Sequence, residues 1–158
     1  MPCAIEPLDF RQAVGHFASG VTVITSHHQG TPIGFTCGSF YSVSVAPPLV
    51  SFCVMKESAS YPAIRAAGRF AVNILSCEQS AISNQFAKRG ADKFKGIAYS
   101  SSPLGNPLID QCLNWLDCEI YAEHEAGDHL IVIGEVKALG KGEALEPLVY
   151  FKGQYVAR

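Results

Sequence analysis

The sequence has no C-x-x-C pair, no G-x-G-x-x-G segment, no G-x-x-x-x-G-K-[ST] and no G-x-S-x-G. The first absence argues against a zinc knuckle or a redox dithiol. The next two remove the glycine-rich phosphate cradles, so a nicotinamide, if one is used, is not held in a Rossmann cleft. The last removes the strained nucleophile turn of acyl-transfer enzymes. His124 and Glu125 followed by His129 approach the zincin pattern. These histidines are five residues apart, and Gly127 interrupts any helix that would align them, so no metal site is expected.

Charge is also scarce. Charged residues make up 16% of the chain, and Lys+Arg 12 against Asp+Glu 14 leaves a formal charge of -2. No electrostatic excess draws the molecule to nucleic acid or to an anionic membrane. Apolar runs are shorter than a membrane span, and Glu6, Asp9 and Arg11 stand where a secretory signal would need its apolar core. A cytoplasmic protein is expected. With 158 residues and 48% hydrophobic content, the chain suits one domain, residues 1–158, burying roughly 70% of its extended surface. The six cysteines, Cys3, Cys37, Cys53, Cys77, Cys112 and Cys118, fall mainly in apolar runs, which reads as core usage with free thiols.

Periodicity supplies the elements. Phe10, Val14 and Phe17 have helical spacing, Pro7 suits a first turn, and Gly20 ends the pattern. Val21, Val23 and Thr25, then Ile33 and Phe35 beyond Gln29 and Gly30, predict a β-hairpin. A strand follows Pro47 and Pro48, a short helix runs from Pro62 to Gly68, and "RFAVNIL" is a strand. A second short helix closes at Gly90, and "ADKFKGIAYSSSPLGNP" reads as a long surface connection. The last third parses as three strands. About six or seven strands with short helices and no βαβ rhythm predict a mainly β, antiparallel, Greek-key-like barrel or sandwich.

The stretch "GFTCGSFYSVSVAPPL", residues 34–49, contains no charge yet carries Thr36, Ser39, Ser42 and Ser44. Hydroxyls at such short intervals suit a neutral planar heterocycle with carbonyls and ring nitrogens, for which isoalloxazine is a candidate. They equally suit a solvated strand face and a capped turn. One strand later, Lys56, Ser58 and Ser60 precede a helix, an arrangement that serves either a terminal phosphate or ordinary capping.

These segments, with "FRQAVGHFASGVTVIT", "GRFAVNIL", "QFA", "DKF", "GDHLIVIGEV" and "PLVYFKGQY", give the chain its resemblance from about Phe10 to Tyr155. It resembles the short-chain flavin reductases that serve two-component flavin monooxygenases. The resemblance implies an FMN-binding split β-barrel, a homodimer, and a flavin bound near the subunit interface. It implies that Thr36, Cys37, Ser39, Ser42, Val43 and Ser44 line the ring and ribityl chain. Lys56, Ser58 and Ser60 would meet the phosphate, Phe86 would pack near the flavin, and His129 would touch the nicotinamide. Many relatives read T-A-N-S where this chain reads Thr36-Cys37-Gly38-Ser39, so a side-chain amide is missing.

The implied activity is oxidation of NADH, favoured over NADPH, with hydride transfer from nicotinamide C4 to the N5 of FMN or FAD. No catalytic nucleophile is required, because alignment of two rings suffices. Reduced flavin would pass to a partner monooxygenase. A non-catalytic flavin carrier or sensor, and a cofactor-free binding barrel, are the competing classes. Outside the motifs, Asn73 reads as a buried amide serving the backbone, and His16, His27 and His28 as structural or solvated. Lys88, Arg89, Lys93 and Lys95 read as a solvated basic loop or a grip on a diphosphate, and Tyr155 either closes the pocket or docks the last strand.

Overall fold

The computed structural model describes residues 3–90, 92–143 and 145–156, so the outer ends of the expected domain, residues 1, 2, 157 and 158, lie outside the described residues. Among the described residues three short helices, α1 (Pro7–Val14), α2 (Tyr61–Ala67) and α3 (Ser80–Ala87), accompany twelve strands. These are β1 (Ser19–Gly20), β2 (Thr22–His28), β3 (Thr31–Cys37), β4 (Tyr41–Ser44), β5 (Leu49–Met55), β6 (Arg69–Ile74), β7 (Tyr99–Ser101), β8 (Pro107–Ile109), β9 (Asn114–Ala126), β10 (His129–Lys141), β11 (Val149–Phe151) and β12 (Gln154–Tyr155). The mainly β, antiparallel class with few helices is what the sequence predicts.

Seven strands form the principal sheet in the order β3-β2-β6-β9-β10-β5-β4, and every neighbouring pair is antiparallel. The two end strands, β3 and β4, share no ladder among the described residues. The end of β3 nevertheless runs close to β5, with Cys37 Sγ 3.7 Å from Cys53 O; in the link between β3 and β4, Ser39 Oγ accepts from Cys53 N–H at 2.9 Å and donates to Cys53 O at 3.2 Å. The longest pairing, β9 with β10, shifts register at Ile133/Gly134. There a Cβ on Gly134 would fall 2.4 Å from the Phe70 ring, so that ring packs directly on backbone.

Phe52 stands at the centre of the main core, with ring centroids of Phe70, Phe35 and Tyr61 at 4.9, 5.8 and 6.3 Å. A second apolar cluster joins Val21, Val23, Leu75 and Phe86 to Ile109 and Leu148. Lying between these two clusters, β2 is buried on both faces from Thr22 to Ser26. Its alternation therefore separates two interiors, not core from solvent. Asn73 serves the backbone as expected: its Nδ2 donates to Val23 O and Thr25 Oγ1, and its Oδ1 accepts from Ile109 N–H.

Several boundaries differ from the sequence reading. The first helix stops at Gly15, five residues before Gly20, and buries none of its own residues. The long connection carries a two-stranded ladder, β7 with β8. The expected final strand is two, β11 and β12, because Lys152 and Gly153 adopt φ of 51° and 76° and turn the chain. Tyr155 docks that end onto α3, its hydroxyl donating to Ser83 Oγ or Asn84 Oδ1 at 2.7 and 2.8 Å. Among the described residues no helix is long and apolar enough to cross a membrane.

Candidate functional site

The principal cavity, of about 660 Å³, opens where the free edge of β3 meets the end of β5, the start of α2 and the segment after α3. Because among the described residues β3 pairs with β2 alone, alternate main-chain N–H and C=O groups along it have no strand partner, and of these Gly34 O accepts from Lys93 Nζ at 3.2 Å and Ser60 Oγ at 3.5 Å. Gly34 makes the wall flat. A Cβ there would lie 2.9 Å from Ile24 O and 3.1 Å from the Phe86 ring, so only glycine lets fully buried Phe86 lean against the strand. Phe86 is braced from behind by Phe94, edge to face at 4.9 Å between centroids.

Of the residues singled out in the sequence, Thr36, Cys37, Ser39, Ser58, Ser60, Phe86 and His129 all line this one cavity. Ser42, Val43 and Ser44 lie outside its lining, on the edge strand β4, where Ser42 and Val43 are exposed. Lys56 also stands outside: its exposed ammonium is 3.9 Å from Glu125 on the neighbouring hairpin. Its nearest charge is therefore a carboxylate from 69 positions along the chain (125 − 56), a pairing that no local pattern announces.

The wall hydroxyls are already engaged. Thr36 Oγ1 donates to Ser83 O at 2.6 Å, and Ser39 bridges to Cys53 as described. Ser58 Oγ accepts from Ser60 N–H and Tyr61 N–H at 3.3 and 3.2 Å, so it satisfies two main-chain donors at the start of α2, whose N-cap position is Ser60. Polar recognition by this wall therefore falls mainly on main-chain groups and on the remaining hydroxyl lone pairs.

Burial pushes the Cys37 thiol up, against the opposing hydrogen bond to Ser39, a direction that favours the neutral thiol. His129 places Nδ1 2.7 Å from Asp128 Oδ1, a contact that holds the Asp128 carboxyl below its usual range. That pairing fixes one ring nitrogen and leaves the other for the cavity.

Arg89, which the sequence reading puts in the second short helix but which lies beyond the end of α3 at Ala87, and Asp92, Lys93 and Phe94, from the expected surface connection, supply the remaining wall. Gln85 anchors this connection, its Nε2 donating to the carbonyls of Lys93 and Lys95 at 2.7 and 2.9 Å. Lys88 and Lys95 take no part in the lining. An amide one helical turn before a loop and an aromatic inside that loop were the available signals. Neither says which way the loop folds.

A cleft that combines a free strand edge, apolar walls, a histidine and a lysine on an antiparallel sheet has the make-up of a small-molecule site, built here without a glycine-rich cradle. The particular family follows from sequence: residues 14–157 match the flavin reductase like domain, and the chain belongs to that family, whose chemistry is oxidoreduction. The reductase subunit HsaB of a flavin-dependent monooxygenase from Mycobacterium tuberculosis is 43% identical over 157 residues, covering 98% of this chain and 84% of the relative. The crystal structure of nitrilotriacetate monooxygenase component B from Mycobacterium thermoresistibile aligns with TM-score 0.90 and 45% identity, over 93% of this chain and 83% of that one. The Streptomyces globisporus NADH:FAD oxidoreductase in complex with NAD and FAD fragments aligns with TM-score 0.91 and 32% identity, over 99% of this chain and 96% of that one.

Proposed function

We propose that this chain is the reductase of a two-component system: it oxidises NADH, in preference to NADPH, reduces FMN or FAD, and delivers the reduced flavin to a separate monooxygenase. The observation that carries the reading is the wall of the 660 Å³ cavity, where a free strand edge, capped hydroxyls and one histidine line the same space. The fit is chemical. An uncharged ring with carbonyls and ring nitrogens matches main-chain donors and acceptors, and its apolar faces match Phe35, Val54 and Phe86. Flavin and nicotinamide, when bound, supply the hydride acceptor and donor.

The protein's own contribution is positioning. Thr36, Cys37 and Ser39 hold the strand edge rigid through bonds to Ser83 and Cys53. Phe86 and Gly34 give a flat surface, and unpaired main-chain N–H groups are fixed dipoles that favour negative charge developing on a bound ring. His129, oriented by Asp128, offers its second ring nitrogen to the carboxamide of the nicotinamide. Ser42, Val43 and Ser44 act, if at all, from β4 beyond the cavity lining.

The split-barrel reading draws support from the approach of β3 to β5, where Cys37 at the end of β3 comes within 3.7 Å of Cys53 O. A homodimer is supported by apolar surface that no part of the described chain covers. Phe10, Val14 and Phe17 are 58%, 51% and 69% exposed, and Phe17 and Tyr41 border an apolar groove that meets the main cavity at Gly38. A second copy seated there would place the cavity beside the interface.

The test is oxidation of NADH and NADPH assayed with FMN, FAD and riboflavin as acceptors. Turnover of NADH with free flavin is the expected result. Flavin binding without turnover would instead identify a carrier or sensor, and no change in flavin fluorescence on mixing would leave a binding barrel without cofactor. His129→Ala should raise KM for NADH at least tenfold while KM for flavin stays within about twofold. An equal rise in both would remove the histidine from the donor site.

A further inference from the structure

The loop that follows α3 walls the cavity, yet no strand ladder holds it in place. Among the described residues, the hydrogen bonds donated by main-chain N–H groups of residues 92–97 stay within the loop. Phe94 N–H donates to Asp92 Oδ1 at 3.2 Å, Lys95 N–H to Asp92 O at 3.3 Å and Ile97 N–H to Phe94 O at 3.0 Å. Its main chain is tied to the rest of the molecule by one side chain. Gln85 Nε2 donates to Lys93 O at 2.7 Å and to Lys95 O at 2.9 Å. An amide nitrogen carries two hydrogens, so both are committed to this loop.

Phe94 is what the loop brings to the wall. Its ring centroid lies 4.9 Å from that of Phe86 and 5.2 Å from that of Tyr99, edge to face on both sides. Phe86 is fully buried and leans against Gly34 of β3. The stack of three rings therefore ends on the cavity wall.

Phe94 and Ile97 also pack on the rim of the second apolar cluster. Apolar burial is non-directional, so that contact keeps the ring near Phe86 without setting its angle or reach. Hydrogen bonds are directional, and two carbonyls held by one nitrogen fix the loop at a single height over α3. Lys93 Nζ meets Gly34 O and Ser60 Oγ at 3.2 and 3.4 Å, but a flexible four-carbon stem follows the loop and does not place it. Gln85 itself is half-buried and stands outside the cavity lining, so any effect it has on a ligand passes through the loop.

We propose that Gln85 is a positioning residue of the cavity: by holding the carbonyls of Lys93 and Lys95 it sets Phe94 behind Phe86, and so fixes the apolar wall against which a flavin ring is bound. The inference rests on the flavin reading given above and deepens it.

The test uses the whole chain as wild type, Gln85→Met, Gln85→Glu, Phe94→Leu and the Gln85→Met/Phe94→Leu double variant. Methionine keeps the length of the side chain and removes both donors. Binding of FMN and of riboflavin is followed by flavin fluorescence, stability by thermal melts, and the loop by hydrogen exchange of peptides covering residues 92–97 without ligand. Two neutral hydrogen bonds lost behind the wall correspond to about a tenfold change in affinity.

Gln85→Met should weaken FMN and riboflavin by the same factor, because the wall meets the ring that they share. Its loop should exchange faster, while the melting temperature falls by no more than about 3 °C. Gln85→Glu sets an acceptor-only carboxylate against two carbonyls. It should bind as poorly as Gln85→Met at neutral pH and recover part of the loss as pH falls towards the ordinary Glu value of about 4.3, where the protonated group regains one donor. Phe94→Leu should lose a similar factor, and adding Gln85→Met to it should cost less than about twofold more.

The proposal is overturned if Gln85→Met exchanges and binds as wild type does, if its melting temperature falls while flavin affinity holds, or if the two losses multiply in the double variant. A wild type that binds no flavin would overturn the flavin reading and this proposal with it. Loop exchange that is nevertheless faster in Gln85→Met would then show that the reading, and not the tether, had failed.

Discussion

Two of the charges drawn out of bulk water in this molecule, Asp117 and Lys93, are treated in opposite ways. Asp117 on β9 is fully buried, and its carboxylate accepts from Ser102 Oγ at 2.8 Å, Leu104 N–H at 2.8 Å and Asn106 Nδ2 at 2.7 Å. Lys93 in the cavity wall is half-buried and has only a carbonyl and a hydroxyl. The first charge organises the loop between β7 and β8, which wraps around it. The second is supplied with less than its chemistry can use. Saturation of partners, more than burial, separates a charge that builds the fold from one that keeps donors uncommitted.

The largest effect is expected where saturation is greatest. Asp117→Ala leaves the three donors of Ser102, Leu104 and Asn106 without their acceptor and should cost about 3–5 kcal/mol of stability, read from denaturant melts. Flavin affinity of the molecules that remain folded should be unchanged. A variant as stable as wild type would break the comparison, because it would show that partner count does not report structural weight.

Ser39 tests the boundary between the two cases, since its hydroxyl lines the cavity and also ties the link between β3 and β4 to β5. Ser39→Ala leaves Cys53 N–H and O without that partner and should lower stability by about 1–3 kcal/mol. If the hydroxyl were instead reserved for ligand, the same variant would keep its melting temperature and lose only flavin affinity. Measuring both quantities on one sample decides which side of the line Ser39 falls on.

What could be read from the sequence follows the same division. The β2–β3 hairpin was legible because alternation brackets Gln29 and Gly30, which take φ of 51° and 78° at the turn. The end of α2 was legible because Gly68 is left-handed, at φ 74°. These are local preferences, written where they act.

The cavity was legible in part. Thr36, Cys37, Ser39, Ser58, Ser60, Phe86 and His129 do come together, but family likeness grouped them, since spacing alone left capping and solvation open. The engagement of their hydroxyls could not be seen, because the partners of Thr36 and Ser39 lie 47 and 14 residues away. Lys93 and Lys56 look alike in the sequence, each a lysine near a small or acidic residue. Only the packing of a loop against β3 half-buries one, and only a distant hairpin pairs the other with Glu125.

The smallest effect is expected from a charge cluster that is neither buried nor in the cavity. Glu123 on β9 accepts from the Tyr61 hydroxyl and, at 2.9 Å, from Arg65 Nε, and so pins α2 to the sheet. Arg65 chiefly, with help from Tyr61, holds the Glu123 carboxyl below its ordinary value, while burial opposes the shift. A carboxyl whose folded pKa is depressed contributes stability that is fully present above the unfolded value and is lost as pH falls through the folded one.

Arg65 is 52% exposed at its side chain, so solvent screens the pair and its contribution should stay under about 1 kcal/mol. Glu123→Gln should therefore melt slightly below wild type at neutral pH, and the two curves should converge as pH drops beneath the usual carboxylate range. A large and pH-independent gap would mean that the cluster acts by packing Tyr61 against Phe52 and not by charge, which would place it with Asp117 among the groups that build the fold.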